Sequence, residues 1–505
     1  MEANVVAGGV GKINLQSIES KELLGVPQTL KSLALDAWAK HISAQVEKLL
    51  ALPPLFDSGG DNHNCSSYCS CYYNYDIRIM NTWKSCQAEL KKHIPAPLAN
   101  EITEELFLRM AATYRRLITK EKDFPWFCSL FRMAVRSALH PSTTEIHYRK
   151  SREHPVITDI LYKCLPFFGD IILNIKNLTV LTLRSVNYIF TLDNNIDATR
   201  NLEEVRCHLS PEALRVLSLQ STRLKKLDIV HCADEHVKYL ITFPQLESLR
   251  IMRSSLSDGG WSQLLSGFSK VRNSNLDQNP NPTSHRIKEL AVDRVSSSVM
   301  KSIVCVFPNL THFSISNPKI HYSLYPVSKL KRLKMLSVTG FAFSGVGDLL
   351  AMSGNNLTYL EIYDIDMNDL FIISLTCKSL KCLHLQMMYS SETGFTSGLT
   401  YDDYARFKIP EFESVECLRT FWMCNDNLHE YIVSRFVNLR HLYMIEDVGF
   451  QITKVFKYGK KDGLEYLFLE CGRTSAYEVT FENGYANITK VAYDKGKLLH
   501  YRAEI

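Results

Sequence analysis

One pattern, L-x-x-L-x-L with apolar substitutions, returns twelve times along the chain, and no other feature limits the fold so tightly. It begins at Leu178 ("NLTVLTL"), Leu202, Leu224, Leu246, Ile287, Leu310, Leu333, Leu357, Leu380, Leu418 ("CLRTFWM"), Leu439 and Leu464. The steps between starts are 24, 22, 22, 41, 23, 23, 24, 23, 38, 21 and 25 residues. The two long steps carry "RNSNLDQNPNPTSH" (272–285) and "SSETGFTSGLTYDD" (390–403), whose polar, Gly- and Pro-containing make-up is that of surface loops. A unit this short cannot bury its own apolar residues, so neighbours must stack and share a core. The L-x-L runs are then parallel strands. Return segments such as "DEHVKYLITFP" and "SSVMKSIVCVFP" have helical spacing and lie on the other side.

A period of 21 to 25 residues is that of leucine-rich repeats. The expected fold is therefore α/β: a leucine-rich repeat solenoid, or horseshoe, with parallel strands on its concave face, preceded by an α-helical region. The division read from the sequence is a flexible N-terminus (1–27), a helical adaptor-binding or capping region (28–140) with an irregular insertion (53–92), the solenoid (141–475) and a C-terminal cap (476–505). A less regular unit around Ile146 precedes the series. "AYEVTFENGYANITKVAY" reads as a hairpin around Asn483-Gly484, or as a thirteenth repeat starting at Ile488.

The charge balance, 58 Lys and Arg against 53 Asp and Glu over 505 residues, gives no reason to expect nucleic acid or an anionic membrane as partner. No signal peptide and no apolar run of membrane-spanning length is read. The 14 cysteines are mostly scattered singly, several at apolar repeat positions, where a thiol acts as a small hydrophobe. Of the five N-x-[S/T] sequons, three read Asn-Leu-Thr at the same point of the repeat (Asn177, Asn309, Asn356), so the repeat explains them. These features predict a cytoplasmic or nuclear protein with reduced thiols.

Chemistry is sparse. "GGVGK" (8–12) lacks the spacing and the Ser or Thr of a phosphate loop. "HNCSSYCSCYY" gathers His63, Cys65, Cys69 and Cys71, with Cys86 nearby, but irregularly for zinc. "HCADEH" (231–236) falls at a strand end, where loop residues suffice. No catalytic residue, no cofactor and no metal ligand is predicted, and the chain is not expected to be an enzyme.

Two helical segments stand ahead of the repeats. "TLKSLALDAWAKHI" (29–42) places Leu30, Leu33, Ala34, Ala37, Trp38 and Ile42 on one face. "HIPAPLANEITEELFLRMAATYRRL" (93–117) places Leu98, Ile102, Leu106 and Met110 likewise. Both could simply cap the first repeat. Thr29-Leu30-x-x-x-Ala34 also resembles the elongin-binding BC box, and Ile94-Pro95-Ala96-Pro97-Leu98 resembles the cullin-selecting half of a SOCS or von Hippel-Lindau box. That resemblance implies a substrate receptor of a cullin-RING ubiquitin ligase. Leu30 would insert into elongin C with Ala34 allowing close approach, while Pro95 and Leu98 help contact a cullin. Ala34 stands where such boxes usually have Cys, and some 50 residues separate the halves. The second segment also resembles an F-box opening, which would recruit a Skp-type adaptor. A plain interaction scaffold without a ligase link is the third possibility.

The surface for the target protein follows from strand alternation. Early concave positions read as charged or small (Glu204, Arg206, Lys226, Asp228, Arg250, Asp293). Later ones are aromatic-rich: Tyr359, Glu361, Tyr363, His384, Trp422, His441, Tyr443, Tyr466 and Phe468, with Trp422 and Tyr443 as the central pair. Aromatic rings dominate binding hot spots, which places target recognition there.

Overall fold

The computed structural model describes residues 199–274, 286–316, 323–341, 343–387, 400–421, 426–446, 463–471, 475–482, 485–492 and 497–504. Before these it describes 5–7, 10–13, 142–148, 177–183 and the single positions 44, 88, 92, 99, 100, 103 and 175. Thr29, Leu30, Ala34, Pro95, Leu98 and Trp422 lie outside the described residues, as does almost all of the 53–92 insertion. The chain divides into two compact units, Met1–Ser151 with Pro155–Leu224, and Arg152–His154 with Lys225–Ile505.

In the first unit, β1 (Val5–Ala7) and β2 (Val10–Ile13) pair antiparallel. Lys12 of "GGVGK" thus sits in a strand. Farther on, β3 (Glu145–Tyr148), β4 (Val180–Leu183) and β5 (Glu204–Cys207) run parallel in chain order, followed by α1 (Pro211–Gln220). Ile146 stands in register with Leu181, so a repeat does precede the twelve, opening at the buried Thr143. Asn100 covers the start of β3: its Oδ1 accepts from the Thr144 N–H at 2.9 Å and its amide donates to Thr144 Oγ1 at 3.0 Å.

The second unit alternates strand and helix. Its elements are β6 (Lys226–Val230), α2 (Asp234–Leu240), β7 (Ser248–Met252), α3 (Asp258–Ser274), β8 (Glu289–Asp293), α4 (Ser297–Val306) and β9 (His312–Ser316). After a short 3-10 helix, Tyr325–Lys329, come β10 (Met335–Thr339), α5 (Phe343–Ser353), β11 (Tyr359–Ile365), α6 (Met367–Thr376), β12 (Cys382–Met387) and α7 (Tyr401–Ala405). The series ends with β13 (Cys417–Phe421), α8 (Asp426–Ser434), β14 (His441–Glu446) and β15 (Tyr466–Cys471). Each strand from β6 to β15 pairs parallel with the next. Then β16 (Ser475–Glu482), β17 (Tyr485–Ala492) and β18 (Lys497–Glu504) add antiparallel, β16 turning into β17 across Asn483-Gly484. The unit is α/β, with an open and mostly parallel sheet.

The pattern explains the core. Its three apolar positions point to the helix side and are buried: Leu310, Phe313 and Ile315 in one repeat, Leu357, Leu360 and Ile362 in another, none more than 2% exposed. Burying each such side chain stabilises by roughly 1.5–3 kcal/mol. Cys207, Cys232 and Cys377 are buried and serve as small apolar side chains. Helices begin at side-chain caps, Ser210 accepting from Ala213 N and Asp366 from Asn368 N and Asp369 N.

Two backbone devices recur. The carbonyl of the residue after the first apolar position accepts two N–H groups from the next repeat, as Lys288 does from Thr311 (2.8 Å) and His312 (3.0 Å). In all three Asn-Leu-Thr copies the Thr hydroxyl donates to that same carbonyl: Thr179 to Thr144 O, Thr311 to Lys288 O and Thr358 to Lys334 O. The threonine therefore has a backbone-bracing role, which supports reading these sequons as repeat consensus. Seven residues after the first apolar position the chain turns left-handed, at His231, Arg253, Arg294, Gly340 and Asp364, with φ between 52° and 77°.

Four sequence expectations need correction. The tenth repeat opens at Val415, not Leu418. Leu418 pairs with Leu383 and Leu442, both second apolar positions, while Val415 is fully buried and Glu416 N bonds Lys381 O. Asp293 does not face the open side of the sheet: it is buried and accepts from the N–H groups of Arg253 and Ser254 and from the Ser254 hydroxyl. Residues 272–274 belong to α3 rather than to a loop. Residues 401–403 form the start of α7, capped by Thr400, rather than the end of one.

Candidate functional site

The helix-free face of the second unit carries the side chains between the buried apolar positions, and the strand register arranges them in two rows. One row runs Tyr359, Cys382, Cys417, His441, Tyr466, and the neighbouring row Glu361, His384, Arg419, Tyr443, Phe468. The sequence reading of this face therefore holds for Tyr359, Tyr363, His384, His441, Tyr443, Tyr466 and Phe468, all half-buried strand residues. At β13 the described residues of this face are Cys417 and Arg419, and Thr420 is buried; Trp422 lies outside the described residues.

At one end of the rows a polar network forms around Glu361. Its carboxylate accepts from the hydroxyls of Tyr363 (2.7 Å), Ser337 (2.8 Å) and Tyr359 (3.3 Å). The Tyr359 hydroxyl also meets His384 Nδ1 at 2.9 Å. Burial pushes both phenols well above their ordinary range, and the Glu361 charge adds to the effect. These tyrosines remain neutral hydrogen-bond donors. At the other end the rings form a continuous patch, with Tyr443 5.5 Å from Tyr466 and 6.1 Å from Phe468, and His441 6.3 Å from Tyr466, centroid to centroid.

Between these ends lie Cys382, Cys417 and His384, whose ligand atoms stand within 4.8 Å of one another. Hydrogen bonds from Cys382 and then His384 hold the Cys417 thiol well below its usual range, and the same bond raises that of Cys382. Sequence reading missed this cluster. Cys382 and Cys417 are 35 residues apart across an insertion, and the misplaced register set them in different rows.

The face is otherwise plain earlier in the unit, where Asp228 and Arg250 pair with each other at 3.7 Å. In the first unit Glu204 and Arg206 do the same at 2.6 Å. "HCADEH" is structural: Cys232 is buried, its thiol pushed up to about 12 by that burial, His236 Nδ1 accepts from Ala233 N, and Asp234 accepts from Ser257 N and Oγ. Among the described residues no helix is long and apolar enough to cross a membrane. No family model matches the chain, and no curated protein matches it.

Proposed function

We propose that this is a leucine-rich repeat protein of non-enzymatic function that captures a target protein on the open face of β11–β15. On the resemblance of its N-terminal helices, it presents that target to a cullin-RING ubiquitin ligase in the cytoplasm or nucleus. The observation that carries the reading is the aromatic patch of Tyr443, Tyr466 and Phe468, with a hydrogen-bonded polar cluster at the other end of the same two rows, on a face whose earlier strands carry self-paired charges. Half-buried rings next to fixed polar groups are the make-up of an interaction hot spot.

The ligase link rests on Thr29, Leu30, Ala34, Pro95 and Leu98. Co-purification of full-length tagged protein separates its forms: elongin C and a cullin support the box, a Skp-type adaptor supports the F-box alternative, and neither leaves an interaction scaffold. Leu30→Arg places a charge where the box needs an apolar side chain, at a cost of several kcal/mol. A folded Leu30→Arg protein that still retains elongin would rule the box out.

The contacts at Asn100 favour a second reading for the 93–117 helix. Asn100 and Thr103 bond Thr144 and Thr143 at the start of β3, and Ala99 is fully buried, so these three residues support a capping role on the first repeat. In that reading adaptor binding falls to the 29–50 helix or is absent.

A further inference from the structure

We propose that Cys382, His384 and Cys417 form a site for a thiophilic divalent cation of the zinc type, set in the middle of the open face. Three features of the fold bring it about. Parallel pairing of β12 with β13 puts the two cysteines in register, and adjacent strands lie only about 4.8 Å apart. His384 follows Cys382 by two residues, so it projects from the same face of the same strand. All three ligand atoms already fall within 4.8 Å of one another. A tetrahedral zinc with bonds of about 2.3 Å to sulfur requires ligands roughly 3.8 Å apart, which is within reach of small side-chain rotations.

The chemistry of the set agrees. Two thiols and an imidazole suit zinc and its thiophilic relatives and select against magnesium or calcium. Tyr359 engages His384 at Nδ1, 2.9 Å away, leaving Nε2 for the metal, and Glu361 in turn accepts from Tyr359. A hydrogen-bonded chain behind a ligating histidine is how proteins orient one. On the far side, His441 stands in register with Cys417. Three protein ligands leave one coordination position open, on the face where a partner docks. This inference does not depend on the ligase reading.

The test is a Co2+ titration of the full-length, reduced protein, followed by competition with Zn2+. Because Cys65, Cys69 and Cys71 offer another thiol cluster, the titration is done in a Cys65→Ser, Cys69→Ser, Cys71→Ser background. One cobalt per chain is expected, with a near-ultraviolet thiolate charge-transfer band that Zn2+ abolishes. Cys417→Ser should remove the band, and His384→Ala, at a half-exposed position that spares the core, should weaken Co2+ binding about tenfold or more. The proposal is overturned if the band is missing from that background, if it survives Cys417→Ser, or if mass analysis finds Cys382 and Cys417 joined as a disulfide in protein isolated without reductant.

Discussion

The hydroxyl of Tyr359 lies 2.9 Å from Nδ1 of His384, and their rings meet edge to face with centroids 4.9 Å apart. The contact ties β11 to β12 and sets the imidazole plane beside Cys382 and Cys417. Tyr359→Phe keeps the ring and deletes the bond. It should cost about 0.5–1.5 kcal/mol in urea unfolding. It should also weaken Co2+ binding about tenfold, through loss of the ring's orientation. Unchanged cobalt affinity would mean that Tyr359 plays no part in positioning His384.

Tyr443 and Tyr466 form an aromatic pair on the described face, their ring centroids 5.5 Å apart. Replacing both with Ala should leave the core intact, because the buried positions described in β14 and β15 are Leu442, Met444, Ile445, Leu467 and Leu469. The double variant should lose more than about 2 kcal/mol of affinity for whatever protein the wild type captures. Thermal unfolding is measured alongside. A large drop in Tm with full capture would assign the rings to folding instead.

Asp293 is a buried carboxylate with three donors, the N–H groups of Arg253 and Ser254 and the Ser254 hydroxyl, all from the left-handed turn of the preceding repeat. Asp293→Ala strands these donors away from water and should cost about 2–4 kcal/mol in denaturant unfolding. Asp293→Asn, which keeps one acceptor oxygen, should cost less. Equal losses in the two variants would show that the interaction with the carboxylate as a whole, rather than acceptor count, governs this turn.

Burial pushes the Asp369 carboxyl, in the first turn of α6, up to about 6, with the nearby Asp366 charge contributing and the Asp366 N–H at 2.9 Å opposing. The folded value lies above the ordinary 3.8, so the native chain holds a proton that the unfolded chain has already released. Its stabilising contribution is complete below about pH 4 and is lost as pH rises through about 6. Asp369→Asn removes the ionisation and keeps an acceptor for Asp366. The variant should match wild type near pH 4 and exceed it at pH 8 in urea midpoint. A constant difference across that range would refute the shift.

Most of the fold was legible in the sequence because the information that specifies it is local. Each repeat carries its own apolar triplet and its own return segment, so the period determined the buried triplets of β6–β12, β14 and β15, though not the burial of Asp293 at the end of β8. Of the two readings open around Asn483-Gly484, the antiparallel pairing of β16 with β17 through Glu482 and Tyr485 agrees with the hairpin and not with a thirteenth repeat. What the sequence could not determine was register where the frame with the better apolar match is not the one that pairs. "LRTFWM" satisfies the apolar template at all three positions, while "VECLRT" puts Thr420 at the third; the two frames differ by three residues, an odd shift that exchanges the two faces of the strand. Only pairing with β12 and β14 decides between them, because the hydrogen-bond ladder and the shared core are properties of neighbouring strands. That decision buries Thr420 and sets Cys417 beside Cys382. The cluster of Cys382, His384 and Cys417 is a tertiary fact in the same sense: its members are separated by up to 35 residues of chain, and it is the spacing between strands that brings their ligand atoms within 4.8 Å.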